Sequence, residues 1–198
     1  KKFKVNDFKF EAVAGQKKLV ERADALQSAI RLGLPTIQRD HADFPGFQVL
    51  NTILGGYFGS RLMANIREDK GYTYGIGSGN ASLSHAGFFF IASQVGAEVC
   101  ENTMQEIEKE INLLRSELIG AEELDLVKNF LMGSLLGSLE NAFSHADKFK
   151  NIYFSGLSYA YYQRYMDVVK SISATELKDL ANKYLNYEGM VKVIVGKE

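Results

Sequence analysis

Ile66-Arg67-Glu68-Asp69-Lys70-Gly71-Tyr72-Thr73-Tyr74-Gly75-Ile76-Gly77-Ser78-Gly79 is the stretch in which the apolar spacing of the chain changes period. Just before it, Leu62, Met63 and Ile66 recur at the spacing that puts side chains on one face of a short helix. After Gly71 the alternation is every second residue, so Tyr72, Tyr74 and Ile76 are expected on one face of a strand, with Thr73, Gly75, Gly77 and Gly79 on the other. A strand bare of side chains on one face admits another backbone at close range. The run Ala86 to Val95, which includes Phe88-Phe89-Phe90-Ile91, is aromatic and β-branched and reads as the returning half of a hairpin that turns across Asn80 to His85.

The flanks extend this pattern. Residues 1–24 read as an entry strand and linker, with the strand and a polar turn between Phe3 and Glu21. A strand over Ala25 to Leu34 is expected to stop at Pro35. Asp43 is placed to cap a helix with Pro45 in its first turn, and Phe47, Leu50, Ile53 and Leu54 carry that helix to Gly55-Gly56. Ser60 is placed to cap the short helix that follows. Toward the C terminus, Glu101 to Ser116 and Gly120 to Leu139 show apolar stripes, Met104-Ile107-Ile111-Leu114 and Leu124-Val127-Leu131-Leu135. Two more helical stretches run from Phe143 to Phe154 and from Tyr159 to Val169. Ser173-Ala174-Thr175-Glu176 has capping-box spacing before Leu177, and Met190 to Val195 closes the chain as a strand. Strands, then helices, then a returning strand imply an α+β fold, a mainly antiparallel sheet with helices packed on one face. No composition break divides residues 1–198, which predicts one domain.

Composition narrows the function. With 46% hydrophobic and 24% charged residues over 198 positions, the chain has the profile of an ordinary globular protein. Lys plus Arg total 23 against 24 Asp plus Glu, so no bulk field draws it to nucleic acid or an anionic membrane. The greasiest run, Asn129 to Leu139, is broken by Gly133 and Gly137, and no membrane span is expected. The opening Lys1-Lys2-Phe3, without Met, predicts a piece of a longer precursor. A single cysteine, Cys100, excludes a disulfide within the chain and a cysteine-rich zinc module, and is expected in the core at a helix start. His41, His85 and His145 lie far apart, and neither H-E-x-x-H nor H-x-x-E-H occurs, so no metal site is expected here. Gly55-Gly56-Tyr57-Phe58-Gly59-Ser60-Arg61 lacks the lysine of a phosphate loop and reads as a helix-to-helix turn.

Arg67 and Tyr74 are left as chemistry-bearing candidates. A helix end, a tight turn and a strand start could bring a guanidinium and a phenol together, two donors suited to holding a carbonyl oxygen or a developing oxyanion. The competing reading pairs Arg67 with Glu68 or Asp69 and packs Tyr74 as a structural ring.

The block Leu50-Asn51-Thr52-Ile53-Leu54-Gly55-Gly56-Tyr57-Phe58-Gly59-Ser60-Arg61-Leu62, followed by Ile66 to Tyr74, resembles the C-terminal homologous domain of the pitrilysin/insulinase-type zinc metallopeptidases, the inverzincins, which include the mitochondrial processing peptidases. The resemblance implies one half of a clamshell of two similar α+β domains. It implies a substrate-binding half of a zinc metalloendopeptidase acting on peptides, inactive alone, or a non-catalytic assembly subunit of the same fold. It assigns Arg67 and Tyr74 to the substrate, with Tyr72 as a rival phenol. It places zinc in an N-terminal half that carries H-x-x-E-H, and it names that zinc-binding homologous domain, in the same chain or a separate subunit, and a peptide substrate as partners. This chain has Gly71-Tyr72-Thr73-Tyr74 where relatives often show Gly-Leu-Ala-Tyr, and the tyrosine at the matching place is kept.

Overall fold

Strand β4 (Gly87–Gly96) buries Phe89, Ile91, Ser93 and Val95 and turns Phe88, Phe90 and Gln94 outward, the alternation of a strand covered on one face. The computed structural model describes Val13 and residues 15–197. On one side β4 pairs antiparallel with β2 (Gln27–Thr36), setting Leu32 opposite Ile91; on the other it pairs antiparallel with β3 (Thr73–Ser82), setting Gly79 opposite Phe90. The last strand, β5 (Val191–Gly196), lies antiparallel to β2 and parallel to β1 (Lys17–Glu21), giving the order β1-β5-β2-β4-β3. The sheet is therefore mainly antiparallel, with one parallel pair at an edge. Of the entry stretch, residues 1–12 and 14 lie outside the described residues, and with them most of the strand and turn expected over Phe3 to Glu21; the described part forms β1.

Helices cover the inner face. They are α1 (Phe44–Asn51), α2 (Cys100–Ser116), α3 (Ala121–Gly137), α4 (Ala142–Phe154), α5 (Ala160–Ser171) and α6 (Ala174–Tyr184). Ile30, Phe89, Ile91 and Ile194 from the sheet meet Phe47, Ile107, Ile111 and Leu177 from the helices in one core. Burying a side chain of this kind contributes about 1.5–3 kcal/mol. Phe47 packs between Phe89 and Tyr184 in tilted ring contacts, with ring centroids 5.9 and 5.1 Å away. The capping box of α6 is complete: the Glu176 N–H donates to the Ser173 hydroxyl at 3.2 Å, and the Glu176 carboxylate accepts the Ser173 N–H at 2.8 Å. Cys100 opens α2 and is fully buried.

Four local expectations are corrected. Strand β2 continues through Pro35 to Thr36; β5 accompanies it only as far as Gly33, and a residue without an N–H is tolerated where one side of a strand is unpaired. Asp43 does not cap α1 with its side chain, because its carboxylate accepts from Lys183 Nζ at 2.7 Å and Tyr184 Oη at 2.6 Å on α6. Buried Ser60 engages the next turn through its carbonyl, which accepts the Ala64 N–H at 2.9 Å, and not through its hydroxyl. The hairpin turn is tighter than expected: Asn80 to Ser82 are paired in the ladder, and the Leu83 N–H donates to the Ala86 carbonyl at 2.8 Å.

Helix α1 widens into a π turn, Thr52–Gly56, which lies against β3 and ends at the glycines as expected, Tyr57 being extended. A Cβ on Gly55 would sit 2.7 Å from the Ser78 amide nitrogen, and one on Gly77 would sit 3.3 Å from the Gly55 carbonyl oxygen. The Ser78 hydroxyl donates to Asn51 Oδ1 at 2.8 Å across the same contact. Glycine is thus used at Gly55 and Gly77 for close backbone approach, as the bare strand face predicted.

Gly55→Ala should destabilise the fold by about 1–3 kcal/mol in urea unfolding, because the obstructing atoms include the backbone nitrogen of Ser78 as well as its hydroxyl. Gly133→Ala, inside α3 with nothing within 4 Å of the new methyl, should stabilise it by about 0.5–1 kcal/mol. Hydrogen bonds from Lys183 and then Tyr184 hold the Asp43 carboxyl below its ordinary value. Its contribution is present above the unfolded-state value of about 3.9 and is lost as pH falls through the lowered folded value. Asp43→Asn should flatten that acid limb of the thermal midpoint against pH.

Candidate functional site

Arg67 sits in the last turn of a π-helical segment, Met63–Asp69, in which the Lys70 N–H donates to the Asn65 carbonyl at 3.1 Å. Polar bridges brace this segment. Just ahead of it, Arg61 grips Glu123 of α3 through two bonds of 2.8 and 2.7 Å. The Asn65 amide donates to Glu106 at 2.9 Å and to Glu110 at 2.6 Å on α2, and Lys70 lies 3.5 Å from Glu106. The Glu106 carboxyl is held below its ordinary value by the Asn65 bond first, then by Lys109 and Lys70. Glu123 in turn holds the Arg61 guanidinium more firmly protonated.

Gly71 ends the segment at φ +66°, and the Tyr72 N–H reaches back to the Ile66 carbonyl at 3.0 Å. This left-handed closure of a helix turns the chain into β3. It brings Arg67 to Tyr74, and Arg67 Nε donates to the Tyr74 carbonyl at 3.1 Å. The register of β3 against β4 then shifts between Thr73 and Ile76. Within that bulge the Gly75 N–H donates to the Thr73 hydroxyl oxygen at 3.1 Å, and the Ser93 hydroxyl donates to the Gly75 carbonyl at 2.9 Å. The bulge overturns the expectation that Tyr74 and Ile76 share a face: Ile76 is buried, whereas Tyr74 is 95% exposed. Tyr72, the rival phenol, is half-buried and its ring packs on the core.

Arg67, Tyr72, Thr73 and Tyr74 line an open groove of about 540 Å³, with Gln94 and Glu98 among its other walls. The guanidinium carbon of Arg67 lies 4.7 Å from the centre of the Phe58 ring, and its Nη1 is 3.7 Å from Glu68. The competing sequence reading is therefore realised in one half only, since Arg67 does meet Glu68 but Tyr74 does not pack. Phe58 and Glu98 escaped the sequence reading. For Phe58 the available signal was a large apolar side chain set among turn glycines.

Among the described residues no group of three His, Cys, Asp or Glu side chains converges as a metal site requires, so these residues do not fit a zinc ion. His41 is engaged locally: its Nδ1 accepts the Asp43 N–H at 3.0 Å, and its ring meets Tyr184 edge-on at 6.5 Å.

Residues 1–131 match the family model described as the peptidase M16 inactive domain. The chain belongs to the peptidase M16 inactive-domain family. It is similar to the peptidase M16 inactive domain from Pseudomonas fluorescens, a solved structure with TM-score 0.86 and 28% identity, across 95% of this chain and 45% of that one. A Bacillus subtilis relative named uncharacterized zinc protease YmxG is 32% identical over 63% of this chain and 30% of its own length. A Helicobacter pylori relative named non-peptidase homolog YmxG is 24% identical over 96% of this chain and 44% of its own. The chain thus spans less than half the length of these M16 relatives.

Gly71→Ala in this M16 domain should cost about 1–2 kcal/mol although nothing lies within 4 Å of the new methyl, because its φ is left-handed. Gly75→Ala, equally open and without a positive φ, should cost less in the same urea titration.

Proposed function

We propose that residues 1–198 form one domain, the substrate-contacting half of a zinc metalloendopeptidase that hydrolyses peptides. In this reading Arg67 and Tyr74 present donors to a substrate carbonyl oxygen. The observation that carries it is the anchoring of Arg67 Nε to the Tyr74 carbonyl at 3.1 Å, with the Tyr74 ring 95% exposed at the wall of the groove. Nε is only one of the donors of a guanidinium, and the hydrogen bond it makes fixes the fork and the strand start relative to each other. Donors held in place before reaction stabilise an oxyanion without reorganisation. A homologous N-terminal domain with H-x-x-E-H and a downstream glutamate is the partner, and it holds the zinc that supplies Lewis-acid chemistry. This chain's own contribution is to bind and orient the peptide.

A second reading, a non-catalytic assembly subunit of the same fold, has the support of the Helicobacter pylori relative named as a non-peptidase homolog, which matches 96% of this chain. The residues upstream of Lys1 separate the two: H-x-x-E-H followed by a glutamate supports the peptidase, and their absence supports the subunit.

In the complete protein, Arg67→Ala and Tyr74→Phe should each slow chelator-sensitive cleavage of a quenched fluorogenic peptide by about 100-fold or more. Unchanged rates in both variants would remove the assignment. A loss at Tyr72→Phe in place of Tyr74→Phe would move it to the other phenol.

A further inference from the structure

Away from the groove, α1, α3, α4 and α5 line an open pocket of about 170 Å³, with Arg39, Gln48, Lys148, Tyr161, Tyr162 and Tyr165 among its walls. Arg39 comes from the loop between β2 and α1, and Lys148 from α4. Among the described residues no carboxylate lines this space. Elsewhere Arg61, Lys70, Lys150 and Lys183 each have an acidic partner, but among the described residues neither Arg39 nor Lys148 forms an ion pair.

The two cations lie against aromatic rings instead. Arg39 Cζ is 5.6 Å from the Phe44 ring centre and 5.8 Å from that of Tyr161, and Lys148 Nζ is 5.7 Å from that of Tyr162. They also act on each other: burial, and then the nearby Arg39 charge, pull the Lys148 ammonium below its ordinary value. Two like charges drawn partly out of water without a counterion are costly, and an anion between them reverses that cost. Phenol donors complete the lining. Burial pushes the Tyr161 hydroxyl up and that of Tyr165 to about 12, which keeps both protonated as donors. The Tyr162 hydroxyl donates to the Lys148 carbonyl at 2.9 Å and so fixes α4 against α5.

We propose that this pocket binds a small oxyanion, a phosphate or a carboxylate, between Arg39 and Lys148. Its volume is below the roughly 300 Å³ at which drug-sized ligands begin to fit, so the ligand is an ion or a short organic acid. Helix α4 buries only Ile152, and the anion supplies a second fastening of α4 to the body of the domain.

The test titrates the 198-residue chain with inorganic phosphate, and separately with acetate, at constant ionic strength in chloride, reading the thermal midpoint and binding calorimetry. A saturable rise of roughly 2–6 °C with one or both probes is expected, and the probe that gives it identifies the anion. Arg39→Gln should weaken that binding by about tenfold or more with an unchanged circular dichroism spectrum. Lys148→Met should raise the midpoint in the chloride buffer without phosphate or acetate, by removing the repulsion, and abolish the saturable response. A merely structural lysine would lower the midpoint instead. No saturable response to either probe, or an equal response in wild type and in folded Arg39→Gln and Lys148→Met, overturns the proposal.

Discussion

A helix backbone resting on the edge strand of the sheet is the constraint from which the rest of this domain follows. Gly55 leaves no room for a side chain beside the Ser78 amide, and the Gly55 carbonyl leaves little room beside Gly77. Any bulk at Gly55 would lift the end of α1 off β3. The turn that follows, and the π-helical segment behind it, would move with it. The polar bridges from Arg61 to Glu123 and from Asn65 to Glu106 and Glu110 then hold that segment from the other side. Arg67 is thereby presented at the sheet edge by two sets of contacts, neither of which it makes itself.

The strand answers in kind. The left-handed Gly71 and the Thr73–Ile76 bulge are each local departures from regular structure; the first lies between Arg67 and Tyr74, and the second contains Tyr74. Gly71 turns the chain back so that the guanidinium meets the Tyr74 carbonyl, and the bulge turns the Tyr74 ring from the core to water. A regular strand would bury Tyr74 with Ile76 and leave the groove only the half-buried phenol of Tyr72. Irregular backbone held by specific side-chain hydrogen bonds, here from Thr73 and Ser93, is a common way of aiming one side chain.

Most of the architecture was readable from periodicity and end signals, because both act over a few residues. The α2 stripe of Met104, Ile107, Ile111 and Leu114, the Ser173–Glu176 box and the alternation of β4 each declare themselves locally. What failed to show in the sequence depends on distant partners. Asp43 has every local feature of a cap, but Lys183 and Tyr184, some 140 residues later, take its carboxylate. Pro35 ends strands in general, yet here the neighbouring strand ends first. The pair Arg67 and Tyr74 was found as a pair, while its geometry, a main-chain anchor with an outward ring, needed the bulge. The Arg39–Lys148 pocket draws on four helices and a loop, and no spacing rule links its residues.

The central claim is that the exposed phenol of Tyr74 and the anchored guanidinium of Arg67 meet the substrate. The most direct measurement is a crystal structure of the complete protein with a non-cleavable peptide bound. Tyr74 Oη and an Arg67 nitrogen should then lie about 2.6–3.2 Å from a peptide carbonyl oxygen or its tetrahedral mimic. A peptide seated elsewhere, touched by neither side chain, would contradict it.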